Sequence, residues 1–114
     1  MLSKESVKKL RQVKRAILAE PERYDQGEWC GTACCIAGWA VKLSGVYLVE
    51  AGRVADKAID WLGLDESHEN KLFYFFGWPE KFVDGYSFGE GSHKANAKIA
   101  SQRIEHFIKT GGAE

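Results

Sequence analysis

The sequence predicts an all-α fold, organised as a compact single-domain bundle of about five helices. Two observations predict it: apolar side chains recur at three- and four-residue spacing along several segments, and each of these segments ends at a glycine or a proline. Short connections without an internal repeat join the segments, as in a helical bundle. At 114 residues, with 45% of them hydrophobic and 28% charged, the chain has the size and composition of one globular domain spanning residues 1–114.

The first two helices are predicted from their apolar stripes and from the residues that bound them. One helix is expected over 3–20, because Pro21 removes a backbone donor and restricts the residue before it. Thr32 is of a type that caps helices, and it is expected to begin a second helix that Gly45 ends. The side chains expected to face the core are Val7, Leu10, Val13, Ile17 and Leu18 in the first helix, and Cys35, Ile36, Trp39, Ala40 and Leu43 in the second.

Three more helices follow from the same signals. A helix over 53–62 is bounded by a glycine. A fourth is expected to begin after Asp65 and to end near Gly77, carrying the aromatic residues that precede that glycine. A fifth begins after Ser92, a second residue of capping type, and ends at Gly111.

Two connecting segments have a distinct composition. Residues 46–49 form a short apolar run with β propensity, which allows at most a brief β element. Residues 85–91 combine glycine with aromatic side chains and are expected to form a loop. This loop lacks the Gly-Lys-Ser/Thr sequence of a phosphate-binding loop.

Charge and hydropathy argue against two classes of partner. Sixteen basic and sixteen acidic residues cancel, whereas a protein that binds nucleic acid through its phosphates carries a basic excess. No stretch approaches the ~18 apolar residues of a membrane span, and no apolar run of signal-peptide length is found at the N-terminus. We therefore expect a cytoplasmic protein with neither nucleic-acid nor membrane partners.

All three cysteines lie within residues 30–35, and this cluster has two interpretations. If Thr32 caps the second helix, Cys34 and Cys35 lie in its first turn and Cys30 lies just before it, where unpaired backbone N–H groups favour a thiolate. However, the glycines and alanines around the thiols let a neighbouring backbone approach closely, and cysteine packs as a small hydrophobe. Core packing is favoured for Cys34 and Cys35, and by a narrower margin for Cys30.

A cysteine-dependent enzyme is the alternative function. Gln26-Gly27 ahead of Cys30-Gly31 is similar to the Gln…Cys-Gly pattern of papain-like and bacteriocin-processing peptidases. That likeness implies Cys30 as the nucleophile and Gln26 as an oxyanion donor. His93 is the expected base, because it opens the fifth predicted helix beside a loop. The interval from glutamine to cysteine is shorter here, and no histidine lies in a recognisable motif with an Asn or Asp partner. We therefore favour a non-enzymatic function over an enzymatic one.

A metal site is a weaker alternative, with Cys30 and Cys35 as its candidate ligands. Zinc sites need closely spaced cysteine and histidine, but no Cys-x-x-Cys pair is present and the three histidines are scattered. His68 and His106 are expected on solvated helix surfaces. Accordingly, no metal and no cofactor is expected.

The chain resembles a group of small uncharacterised proteins found in bacteriophages and bacterial genomes. In that alignment the two cysteines of the family fall on Cys30 and Cys35, and Cys34 occupies a variable position. The spacer that the family has between its tryptophan and its first cysteine is missing here. The resemblance implies no known activity, and it indicates a phage or mobile-element context. The matching elements are Asp25…Trp29, Cys-Gly-Thr-Ala-Cys-Cys-Ile-Ala-Gly-Trp-Ala at 30–40, Leu-Gly-Leu at 62–64, Leu72-Phe73, Trp78, and Phe107-Ile108 leading to Gly111.

The leading hypothesis is a small non-enzymatic binding or accessory protein, plausible as a phage-encoded factor given this resemblance. Its expected partner is a host or phage protein, or a small-molecule ligand. Aromatic side chains are frequent anchors of protein interfaces, and loops present them. The residues expected to bind are Trp29, Cys30, Tyr86 and Phe88.

Overall fold

The protein is described here by a computed structural model, which covers residues 2–27, 35–45, 53–87 and 92–114. Within these ranges it contains six α-helices and no strand, which confirms the predicted all-α fold. The helices are α1 (Lys4–Ala19), α2 (Ile36–Ser44), α3 (Val54–Leu62), α4 (Glu66–Leu72), α5 (Glu80–Gly85) and α6 (His93–Lys109), and short 3-10 turns cover Pro21–Arg23 and Phe75–Gly77.

The long helix α1 connects the two parts of the bundle. It packs against α6 and also contacts α2 and α3, which pack on each other. The shorter helices α4 and α5 pack on α6. The core therefore lies along the inward faces of α1 and α6, where no side-chain surface of Leu10, Val13, Ile17, Ile104 or Phe107 is exposed.

Helix α1 follows the sequence prediction closely. The side chain of Ser3 accepts a hydrogen bond from the N–H of Ser6 at 3.0 Å, which caps the first turn. The helix ends at Ala19, two residues before Pro21. Leu18, which was expected to face the core, is exposed. It follows the buried Ile17 directly, and one residue along a helix rotates the side chain by about 100°, out of the buried stripe.

Helix α2 begins later than predicted. Cys35 is its N-cap and has an extended backbone, and its Sγ accepts a hydrogen bond from the N–H of Gly38 at 3.4 Å. The expectation that Cys35 lies inside the first turn is therefore wrong. The N–H of Ile36 is satisfied by the side chain of Gln26, a residue distant in sequence. Thr32 and Cys34 lie outside the described residues.

The aromatic segment after α4 breaks the predicted fourth helix. Asp65 caps α4 as expected: its carboxylate accepts from the N–H of Ser67 at 2.9 Å, and this pairing with Ser67 lowers the pKa of Asp65. The helix ends at Leu72 rather than near Gly77, and a separate 3-10 turn follows. His68 completes the cap by accepting from the N–H of Asp65 at 3.2 Å. It also packs edge-on against Phe107 at 5.4 Å, so it is half-buried rather than solvated.

Helix α5 was not predicted from the sequence. Pro79 precedes it, and the main-chain oxygen of Pro79 accepts from the N–H groups of Phe82 and Val83 at 2.9 and 3.3 Å. Only Phe82 among its residues is buried. One buried side chain gives no helical periodicity, so the packing of this short helix on α6 stabilises a segment that lacks a local signal. The predicted β element at 46–49 lies outside the described residues.

A close backbone approach fixes the turn after α4. A Cβ atom on Gly77 would lie 1.6 Å from the main-chain oxygen of Asn70. Only glycine fits at this contact. The small residue therefore sets the distance between the 3-10 turn and α4.

Replacing Gly77 by alanine should destabilise the protein by about 3 kcal/mol or more, because backbone atoms must move to make room. The matched control is Gly45→Ala, where φ is +81° but an added Cβ meets nothing within 4 Å. Gly45→Ala should lower the free energy of unfolding by about 1–2 kcal/mol, because of the left-handed backbone conformation alone. Urea denaturation of both variants measures the difference, and equal losses would contradict the close approach.

An ion-pair cluster joins α1 to α6. Arg11 Nε and Lys14 Nζ lie 3.2 and 3.1 Å from the same carboxylate oxygen of Glu105. The hydrogen bond from Arg11, followed by that from Lys14, lowers the pKa of Glu105 below its ordinary value of 4.5. The charged form of Glu105 therefore stabilises the fold.

The variant Glu105→Gln should lower the free energy of unfolding at pH 7 by about 0.5 kcal/mol, because the pair is partly exposed. The folded-state pKa of Glu105 is below 4.5, so its stabilisation is present above pH 4.5 and is lost as the pH falls through the folded-state value. Urea denaturation between pH 7 and 3 should show the two proteins converging in stability. Glu22→Gln, at an exposed site, is the control, and a constant difference across this range would refute the assignment.

Candidate functional site

A buried carboxamide connects four separate segments of the chain. Gln26 is only 8% exposed, and its Oε1 accepts from the hydroxyl of Tyr24 at 2.9 Å and from the N–H of Ile36 at 3.3 Å. Its Nε2 donates to the main-chain oxygen of Phe73 at 2.6 Å. Its own N–H donates to the hydroxyl of Tyr86 at 3.0 Å. This network fixes the start of α2, the end of α4 and the segment after α5 relative to one another.

The two tyrosines of this network are core residues. Tyr24 and Tyr86 pack edge to face with their ring centroids 6.4 Å apart. Burial raises the pKa of the Tyr24 phenol well above 10.0, so the phenol stays protonated and can donate its hydrogen bond. Tyr86, one of the residues expected to bind a partner, is 9% exposed and offers a partner little of its ring.

The residues of the enzyme hypothesis are partly brought together. His93 is the first residue of α6, and its Nδ1 lies 3.3 Å from the main-chain oxygen of Tyr24, two residues before Gln26. The carboxamide of Gln26, however, points into the core, where it bonds three protein groups. Cys30 lies outside the described residues, as do the predicted binding residues Trp29 and Phe88.

The cysteine that the structure describes has a structural position. Cys35 is buried and caps α2. In the described ranges, no three histidine, cysteine, aspartate or glutamate side chains cluster in a way that could hold a metal ion. None of the helices described there is long and apolar enough to cross a membrane.

Among the aromatic side chains that the structure describes, the most exposed lies on a surface that we call the aromatic turn, residues 74–78. Phe76 is 98% exposed and stands between Phe75 and Gly77 in a 3-10 turn. Tyr74, also exposed, borders it and donates from its hydroxyl to a carboxylate oxygen of Glu69 at 3.4 Å. The turn thus presents a large apolar ring to solvent.

The other aromatic residues of this turn hold it against the core. The ring of Phe75 lies 5.0 Å from Tyr86 and 5.3 Å from Trp78, between centroids. The indole N–H of Trp78 donates to the main-chain oxygen of Leu72 at 2.9 Å. Main-chain bonds from Gly77 to Tyr74 and from Trp78 to Phe75, of 2.9 and 3.1 Å, close the turn. Phe76 is therefore presented from a fixed backbone.

Sequence reasoning placed Phe76 in the fourth helix and did not single it out. The signal was present: residues 73–76 read Phe-Tyr-Phe-Phe. Because successive residues of a helix point about 100° apart, four consecutive aromatic residues cannot all face one core. At least one of them must reach solvent, in a helix or in a turn.

Replacing Gln26 by alanine should lower the free energy of unfolding by about 3 kcal/mol, because it leaves the buried Phe73 oxygen and the N–H of Ile36 without their partner. The control is Gln102→Ala on the exposed face of α6, which should change stability by less than about 0.5 kcal/mol. Thermal and urea denaturation measure both. A Gln26→Ala variant as stable as the control would show that the network does not hold these segments.

No family model matches the chain, nor does any curated protein or solved structure. The function is therefore inferred from the geometry of the described residues. The aromatic turn is the strongest functional feature among them.

Proposed function

We propose that the protein is a small non-enzymatic binding protein that engages a partner protein through the aromatic turn. The observation that carries the proposal is the 98% exposure of Phe76 on a backbone fixed by its neighbours. An apolar ring in water is unfavourable, and moving it into a pocket on a partner contributes about 2–3 kcal/mol. Aromatic residues with such positions are frequent hot spots of protein interfaces.

The fixed backbone of the turn favours tight binding. Flexible loops lose conformational freedom when they bind, and this loss opposes association. Phe75 and Trp78 already hold the turn in place through ring contacts and the indole hydrogen bond. Only the side chain of Phe76 then needs to become ordered.

Charge around the turn indicates the chemistry of the partner. Glu69 bonds Tyr74, and burial, then Glu69 and, more weakly, Asp56, raise the pKa of the Tyr74 phenol. These carboxylates make the border of the turn at Tyr74 acidic. We therefore propose a partner with an apolar pocket bordered by lysine or arginine side chains, since opposite charges steer association and fix orientation.

The proposed setting is the cytoplasm of a bacterial cell. The likeness of residues 30–40 to small phage and bacterial proteins supports a host or phage protein as the partner. The balance of basic and acidic residues supports a protein rather than a nucleic acid. A small-molecule ligand is the alternative that the experiment below distinguishes.

The variant Phe76→Ser should retain the melting temperature and lose partner binding by about 30-fold, equivalent to about 2 kcal/mol. Tagged wild-type and variant proteins are compared by pull-down from bacterial lysate, and the affinity for the captured protein is then measured by calorimetry. Leu18→Ser, at an exposed apolar site on α1, is the matched control and should bind like the wild type.

Two outcomes would overturn the proposal. In one, the partner binds Phe76→Ser as tightly as the wild type. In the other, no protein is captured and a panel of small molecules raises the melting temperature of both proteins equally. The second outcome would assign ligand binding to a different surface.

A further inference from the structure

A second feature is an arginine enclosed in the core, whose chemistry differs from that of the aromatic turn. Arg103 lies on α6 and is 0% exposed. Its guanidinium stands over the rings of Phe82 and Phe107, 5.7 and 5.9 Å from their centroids. A buried cation is costly unless hydrogen bonds and an opposite charge compensate it.

The described residues compensate Arg103 only in part. Nη2 donates to the main-chain oxygens of Lys71 and Glu114. Nε and Nη1 are buried without a hydrogen-bond partner, and no carboxylate side chain in the described ranges forms an ion pair with the guanidinium. Desolvation lowers the pKa of Arg103 to about 10, and the charge of Glu114 offsets this in part. The donors Nε and Nη1 can thus bond an acceptor on a ligand.

A second unpartnered group lies one turn further along α6. The Nε2 of His106 is buried and has no hydrogen-bond partner among the residues that the structure describes. Its ring packs against Phe82 at 5.4 Å, on the same side chain that covers Arg103. The nearest acid, Glu114, has its Oε1 3.9 Å from this nitrogen, beyond hydrogen-bond range. Glu114 therefore lies near both Arg103 and His106, but it does not satisfy all the hydrogen-bonding groups of either side chain.

The segment that carries Glu114 is a turn held mainly by local bonds. Gly111 and Gly112 have φ values of +64° and +88° and reverse the chain after α6. The N–H of Gly112 donates to Phe107 at 2.9 Å, and the N–H of Glu114 donates to the hydroxyl of Thr110 at 3.0 Å. The side chain of Glu114 itself is largely exposed. An external acceptor for Arg103 would therefore displace the main-chain oxygen of Glu114, at the end of this turn.

A groove that His106 lines, and that Phe82 separates from Arg103, offers space for a ligand. It encloses about 390 Å³ between α5 and α6, and Phe82, His106, Lys81 and Lys109 are among the residues that line it. Its one carboxylate, Glu105, is already paired with Arg11 and Lys14. The unpaired charges at this groove are those of the two lysines, which attract anions.

We propose that Arg103 and His106 form a binding site for an anionic group, a carboxylate or a phosphate, which takes the place of Glu114. In the planar guanidinium, Nη2 is adjacent to both Nε and Nη1, so two oxygens of one anion can bond Nη2 and one of the unpartnered nitrogens. The Nε2 of His106 accepts or donates the third bond. The rest of the ligand lies against Phe82, beneath the lysine side chains.

The test uses the full chain and two probes, inorganic phosphate and succinate, titrated separately at constant ionic strength. Binding is measured by calorimetry, and the ring signals of His106 are followed by NMR to locate it. One of the two anions should bind at a single site and shift His106, and the tighter of the two identifies the class of ligand. Arg103→Lys keeps the charge and loses the planar donors, so its affinity should fall by about tenfold or more.

A second variant removes the negative charge that faces the site and leaves the main-chain oxygen of Glu114 in place. Glu114→Gln, at an exposed side chain, should bind the same anion several-fold more tightly, because the carboxylate 3.9 Å from His106 Nε2 no longer repels it. Arg15→Gln, an exposed arginine on α1, is the matched control and should bind like the wild type. If Arg103→Lys does not fold, Glu114→Gln and the His106 signals decide.

The proposal is overturned by any one of three results. Neither anion binds, binding leaves the His106 signals unchanged, or Glu114→Gln has the affinity of the wild type. Because Phe76 has no part in this test, the outcome is independent of the proposed protein interface.

Discussion

The hydrogen bonds of Gln26 hold together segments that lie far apart in the sequence. One side chain bonds the start of α2 and the end of α4, while its main-chain N–H bonds Tyr86. A buried polar group is costly unless it is satisfied, so these partners are effectively obligatory. Once the end of α4 is fixed in this way, the turn that follows has a defined starting point. The exposure of Phe76 on that turn is thus a consequence of an interaction made in the interior.

The same principle distinguishes the two candidate sites. At Gln26 the donors and acceptors of the carboxamide have partners, and the result is a rigid element of the core. At Arg103 two donors have none, although the side chain is equally enclosed. A satisfied network specifies structure, whereas an unsatisfied one leaves chemical capacity for a ligand. Gln26 therefore supports the fold, whereas the unsatisfied donors of Arg103 are the basis of the proposed anion site.

The sequence predicted the parts of the fold that local patterns determine. The apolar stripe of α1, its stop before Pro21 and the cap at Asp65 depend on residues within a few positions of each other, and all three are confirmed, apart from Leu18, which is exposed. Helix α5, which was not predicted, and the role of Gln26 depend on contacts distant in sequence. Three of the partners of Gln26 lie 10, 47 and 60 residues away, which no periodicity or spacing rule can reveal. The late start of α2 has the same origin, because the N–H of Ile36 is satisfied from outside its own helix.

The neighbouring positions 76 and 77 have opposite tolerance for change, and this affects how such a protein can evolve. Gly77 admits no other side chain, because the main chain of Asn70 occupies the space. Phe76 contacts little of its own protein, so its replacement leaves the backbone of the turn as it was. Mutations at position 76 can therefore be sampled at almost no cost to folding, while the adjacent glycine keeps the turn in its shape. Under the proposed function, a lineage that carries this domain would change its binding preference, and not its fold, by changing a single codon.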